Sequence, residues 1–167
     1  MKKFISSCLA LLFVVQANAQ SQSEKPFPAL EVHTRPISLL QGVITVGSEI
    51  RLGNNSSLLL DGGAGTSQLD NRYLTTFLIG GRLYLKKEDL SGTYVTFRHR
   101  SRFYADDDIF GTGENYGANT NFMIGSKIIF EQVSFAGEVG IGRQSYFGEP
   151  AVLPTWAVTV GYRFKGK

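Results

Sequence analysis

The stretch WAVTVGYRF, residues 156–164, alternates without a break. Trp156, Val158, Val160, Tyr162 and Phe164 share one parity, and Ala157, Thr159, Gly161 and Arg163 share the other. Successive side chains of a strand point to opposite faces, so this run reads as a strand with one apolar face and one small, polar face. Its length is also telling, because a tilted strand of about 9–11 residues crosses the hydrocarbon core of a bilayer.

The same period recurs upstream. In residues 135–141, Phe135, Val139 and Ile141 oppose Ala136, Glu138 and Gly140. In residues 122–130, Phe122, Ile124, Ile128 and Phe130 oppose Gly125 and Lys127. Residues 75–85 set Phe77, Ile79, Leu83 and Leu85 against Thr76, Gly80 and Arg82, and residues 44–52 set Ile44, Val46, Ile50 and Leu52 against Thr45, Gly47, Glu49 and Arg51. Residues 58–65 and 93–104 fit less cleanly. No later segment carries a convincing helical period, and no apolar run approaches the 18 residues of a membrane helix.

These are seven strands, whereas bacterial single-chain membrane barrels have even numbers. The connections supply the eighth. Gly53-Asn54-Asn55, residues 86–92 and Glu131-Gln132 are short; residues 66–72, 105–120 and 143–154 are longer. Short periplasmic turns and long outer loops alternate in this way. The run 44–52 ends in a short turn, so an earlier strand must carry the chain up, and residues 29–37, with Leu30, Val32 and a terminal Pro36, are the candidate. The expected fold is all-β: an eight-stranded antiparallel up-and-down transmembrane barrel.

The N-terminus fits that location. Lys2 and Lys3 precede an apolar stretch from Phe4 to Val15, and Ala17-Asn18-Ala19 supplies a small-x-small cleavage site. This is the pattern of a secretory signal, too short for a membrane anchor. Cys8 comes too early for a lipoprotein box. The expected organisation is a signal peptide over residues 1–19, a polar leader over 20–28 containing Pro26 and Pro28, and a barrel domain over 29–167. Cys8, the one cysteine, leaves with the signal, which excludes disulfides and thiol chemistry. Loss of Lys2 and Lys3 takes the 17 basic residues to 15 against 14 acidic ones, a balance that gives no footprint for nucleic acid.

Alternation also suits a soluble, lipocalin-like barrel, and two features favour the membrane. The polar face is built of Gly47, Gly63, Gly80, Gly125, Ala136, Gly140, Gly142, Ala157 and Gly161, small residues suited to a narrow interior. Its charges are few and mixed, whereas a solvated exterior carries many. Glu49, Arg51, Asp61, Arg82, Lys127, Glu138 and Arg163 are expected to point inward as a paired network that plugs the barrel, leaving no porin-like channel; Arg98 shares that face. Val139, Ile141, Phe122, Val158 and Val160 are expected to form an outward apolar band. Trp156 at one end of the last strand, with Tyr162 and Phe164 at the other, reads as an interfacial aromatic girdle.

Several stretches resemble a known group: RPISLLQGVITVGSEIRLGNNSSLLLDGGAG, LIGGRLYLKKEDLSGTYVTFRHRSRFY, FAGEVGIGRQSY and WAVTVGYRF. They are similar to a family of small bacterial outer-membrane β-barrel proteins of unknown function, frequent in Bacteroidetes, over residues 36–164. The resemblance implies a barrel in the outer membrane of a Gram-negative cell and carries no assigned activity.

Candidate chemistry is sparse. Val95, Phe97, His99, Ser101 and Phe103 share the outward parity, with Glu114 in the following loop. A Ser–His–carboxylate set there could deacylate a lipid, His99 acting as base, Ser101 as nucleophile and Glu114 orienting the imidazole. The His-x-Ser spacing resembles that of outer-membrane lipid A 3-O-deacylases. Those enzymes have Asn after the Ser and carry the motif on the penultimate strand; here Arg102 follows and the motif is mid-chain. The non-catalytic reading is a strand emerging among headgroups, where Arg98, Arg100 and Arg102 meet lipopolysaccharide phosphates. Asp106-Asp107-Asp108 could bind calcium but lacks spaced ligands and reads as a solvated acidic loop. His33 stands alone, and Asn54-Asn55-Ser56 is a turn. No cofactor or metal is expected. The expected partners are outer-membrane lipid and lipopolysaccharide, with an extracellular partner for the 105–120 loop, whose Tyr104, Phe110 and Tyr116 suit binding. The sequence thus points to a non-catalytic surface barrel, against a deacylase-like hydrolase and a soluble periplasmic binding barrel as alternatives.

Overall fold

The computed structural model describes residues 30–66, 72–85, 90–105, 116–145 and 150–164. Eight antiparallel strands follow one another around a closed barrel: β1 (Leu30–Thr34), β2 (Val43–Arg51), β3 (Ser56–Thr66), β4 (Tyr73–Tyr84), β5 (Gly92–Ala105), β6 (Tyr116–Phe130), β7 (Val133–Ser145) and β8 (Ala151–Phe164). A single turn of helix, α1 (Pro36–Leu40), joins β1 to β2. The expected signal and leader, residues 1–28, lie outside the described residues. Gly53–Asn55 and Glu131–Gln132 mark one end of the barrel, called here the turn end; the opposite end is the loop end.

The register fixes the shape. Partners traced straight across from Leu30 run through Ile50, Leu58, Gly81, Phe97, Phe122 and Ile141 to Pro154. The partner of Leu30 on β8 is Phe164, ten residues further along. This stagger tilts the strands and leaves an interior of the width that side chains alone can fill.

Four expectations need correction. β6 begins at Tyr116 rather than at residue 122, β7 reaches Ser145, and β8 begins at Ala151 rather than at Trp156. Asn119 reads as a loop residue and Asn121 falls just before the expected strand, but their side chains are buried inside the barrel, and a polar interior tolerates them within a strand. The connections shorten accordingly to residues 106–115 and 146–150, while that between β4 and β5 spans 85–91, so short and long no longer alternate strictly. Trp156 is mid-strand and exposed, paired with Val139, and the loop-end aromatics are Tyr73, Phe103 and Tyr116 instead. Finally, β1 stops at Thr34 and Ile37 belongs to α1. Pro36 cannot donate to the ladder and suits the first turn of a helix, so the chain leaves the sheet there.

Burial inverts the usual globular pattern. Phe77, Ile79, Phe97, Phe122, Ile124, Ile128, Val139 and Ile141 are all exposed, as is Val158, while Val160 is intermediate. The interior is layered. Tyr84, Tyr94, Leu90 and Ala136 close the turn end; Val43, Leu74 and Tyr104 form a second apolar cluster towards the loop end. Between them lie ionic side chains. Leu59 departs from the sequence pattern of its strand by lying fully buried within this interior.

Candidate functional site

The glycine-rich inward face makes room for large polar side chains. A Cβ on Gly125 would come within 2.7 Å of the Tyr94 ring and hydroxyl, and one on Gly161 within 2.6 Å of Ser134 Oγ. Outward Gly137 and Gly62 have nothing within 4 Å. The space left inside is occupied by a linked network centred on two carboxylates.

Glu49, on β2, accepts from Arg82 Nη1 and Lys127 Nζ at 2.6 and 2.8 Å through Oε2, and from Ser57 Oγ and the Tyr84 hydroxyl at 2.5 and 2.6 Å through Oε1. Glu138, on β7, accepts from Arg82 Nη2 at 2.5 Å and Arg98 Nη1 at 2.6 Å, with the Tyr94 hydroxyl at 3.1 Å. Arg82 therefore bridges both carboxylates, and its guanidinium also lies 4.6 Å from the centroid of the Tyr94 ring. Lys127 ties Glu49 to Glu31, at 2.6 Å, and Glu31 in turn accepts from Ser134 at 2.7 Å. Arg163 reaches Glu31 at 3.8 Å. Glu49, Glu138, Arg82 and Lys127 are all buried. Such pairs hold only when the remaining lone pairs and protons are satisfied, and the tyrosine and serine hydroxyls supply that.

Of the residues singled out from sequence, Glu49, Arg82, Lys127 and Glu138 meet in this network, and Arg163 lies at its margin. Two go elsewhere. Asp61 faces inward but pairs with His33 Nε2 at 3.0 Å and Arg35 Nη2 at 2.6 Å, so His33 is not a solitary residue. Arg51 sits at the turn end, where it donates to the carbonyls of Gly53 and Asn54 at 2.7 and 3.0 Å. Sequence reading missed Glu31, Arg35, Tyr84 and Tyr94 and left Arg98 out of the network. The parity shared by Glu31 and His33 was the one available signal, and a five-residue strand states it faintly.

The outward candidate pair does not form a catalytic arrangement among the described residues. The His99 ring nitrogen Nδ1 lies 2.8 Å from Thr120 Oγ1, and Ser101 Oγ lies 3.3 Å from the Tyr116 hydroxyl. No hydrogen bond there joins Ser101 to His99. Glu114, Asp106–Asp108 and Phe110 lie outside the described residues. Both outward side chains border a shallow groove between β3, β4 and β5, lined also by Leu60, Phe77 and Ile79. Among the described residues, no cluster of three or more His, Cys, Asp or Glu is placed to hold a metal ion.

No protein-family model, curated protein or solved structure matches the chain.

Proposed function

We propose that this protein is a small integral outer-membrane barrel with a filled interior, acting without catalysis at the cell surface. One observation carries the reading: large apolar side chains are exposed around the outside while ionic groups are buried inside. A soluble lipocalin-like barrel would place its apolar side chains within and its charges in water. Lipid reverses that demand, and a closed barrel also satisfies the backbone groups that hydrocarbon cannot. Aromatic side chains gather towards both ends, as interfacial belts do: Phe103 against Phe77 and Tyr116 at the loop end, and Phe130 against Phe135 and Tyr162 against Phe164 at the turn end. The sequence resemblance to small bacterial outer-membrane barrels and the signal-like N-terminus agree with this location.

Interaction with lipopolysaccharide or an extracellular partner falls to the loop end, where Arg143 and Tyr116 are exposed. The deacylase reading gains nothing from the geometry, since His99 and Ser101 each engage a different hydroxyl. Fractionation tests the location. The chain should stay with outer membranes after carbonate and urea washes and migrate faster unboiled than boiled on a detergent gel. Recovery as a soluble periplasmic protein would overturn the proposal. Lipid A from cells expressing wild type or Ser101→Ala should carry identical acyl chains; an acyl chain lost only with wild type would restore the hydrolase.

A further inference from the structure

The interior towards the loop end holds more positive charge than its described carboxylates balance. The inward face of β5 carries Arg98, Arg100 and Arg102 in succession, and Arg35 is buried beside them at the end of β1. Arg100 is within electrostatic reach of Arg35, Arg98 and Arg102, and of Asp61. Asp61 is already shared by His33 and Arg35, and Glu138 is shared by Arg82 and Arg98. Leaving aside Arg102 and Arg163, which have partners of their own, four inward carboxylates among the described residues (Glu31, Glu49, Asp61 and Glu138) face five inward cations: Arg35, Arg82, Arg98, Arg100 and Lys127.

Buried polar atoms without aligned partners gather at the same place. Asp61 holds Arg35 Nη2 at 2.6 Å, but Arg35 Nε and Nη1 have no partner among the described residues. Arg98 Nε, Asn119 Oδ1, Asn121 Oδ1 and Thr159 Oγ1 are unmatched as well. The register brings them together: Asn121 lies opposite Arg98, Asn119 opposite Arg100, and the pairing of Thr34 with Val160 sets Arg35 opposite Thr159. An Asn side chain turned over presents its amide hydrogens where its oxygen stood, so both asparagines can donate. Unmatched guanidinium groups buried from water are costly, and their planar forks fit tetrahedral oxyanions.

We infer that this part of the interior binds a phosphate-class oxyanion, held by Arg35, Arg98 and Arg100, with Asn119, Asn121 and Thr159 completing its hydrogen bonds. The anion is either free phosphate or the phosphate of a lipid headgroup. The inference goes beyond the membrane reading and concerns only the interior.

The test uses the full chain in maltoside micelles, which carry no phosphate. In one arm inorganic phosphate is titrated at constant ionic strength against chloride. In the other, phosphatidic acid is added to the micelles, with diacylglycerol as control. Saturable binding should appear in at least one arm, raise the unfolding temperature, and weaken roughly tenfold in Arg100→Gln, as loss of a charge-assisted hydrogen bond implies. Arg143→Gln, on an exposed outward residue, should bind as wild type does. Without phosphate, Arg100→Gln should be no less stable than wild type, because a charge crowded by Arg35, Arg98 and Arg102 is removed. Binding of inorganic phosphate identifies a free anion; binding of phosphatidic acid alone identifies a headgroup. No saturable binding by wild type in either arm, or binding undiminished in Arg100→Gln, overturns the inference. If Arg100→Gln does not fold, the wild-type titrations decide. A chain that folds without detergent yet binds phosphate would refute the membrane reading and leave this one standing.

Discussion

Gly125 and Gly137 sit on neighbouring strands with opposite surroundings. A side chain on Gly125 would collide with Tyr94, which is held in place by Glu138 and Arg82, whereas Gly137 faces open space. Gly125→Ala should therefore destabilise the barrel by about 1–3 kcal/mol through overpacking. Gly137→Ala should gain about 0.4–1 kcal/mol by restricting the unfolded chain. Urea unfolding followed by the fluorescence of Trp156, the one tryptophan, measures both; equal effects would show that the inward glycines are not needed for space. The network makes a second demand. Glu138→Gln leaves Arg82 and Arg98 without their shared charge and should cost about 3–5 kcal/mol, as expected when one partner of a buried pair is removed. Adding Arg98→Leu should recover part of that loss, and strictly additive effects would show that the two do not interact. Parity alone put Glu49, Arg82, Lys127 and Glu138 on the inward face. It could not place Asp61 with His33 and Arg35, or Arg51 at a turn, because alternation tells the face of a residue and says nothing of its height. Height comes from the stagger of the whole barrel.

The strands were legible at their centres and blurred at their ends for a related reason. A run such as Phe122–Phe130 announces itself through large outward side chains. Towards the loop end the outward positions of β6 turn to Ala118 and Thr120 and the inward ones to asparagine, and the contrast fades while the ladder continues. α1 was invisible to periodicity because a single turn has none. Pro36 marks where β1 ends, and the consequence is carried by β8. Only its residues 160–164 pair with β1; the stretch from Ala151 to Thr159 pairs with β7 alone, and α1 lies against both β2 and β8. Pro154 falls on this one-sided stretch, where a missing N–H does least harm. Hydrogen exchange should accordingly find alternate amides of residues 151–159 weakly protected, beside strong protection throughout β5–β7. Uniform protection along β8 would show that its edge is covered.

For the molecule as a whole, the interior decides what the barrel cannot be. Apolar clusters lie towards both ends and Arg82 spans the middle between Glu49 and Glu138. In planar bilayers the protein should show no stable, porin-like conductance, and steady open-channel steps would refute a filled interior. The short reach of β1 matters beyond geometry. Seven of the eight strand pairings join neighbours in sequence, so each can form as a hairpin as soon as its two strands exist. The eighth joins Leu30 to Phe164 across nearly the whole chain and rests on five residue pairs. Bringing such distant segments together carries the largest entropic penalty and yields only those five pairs, as few as β1 makes with β2. Closure is thus the slow, final and most easily reversed event in the life of this barrel, and its thermal endurance is set by how tightly that one clasp holds.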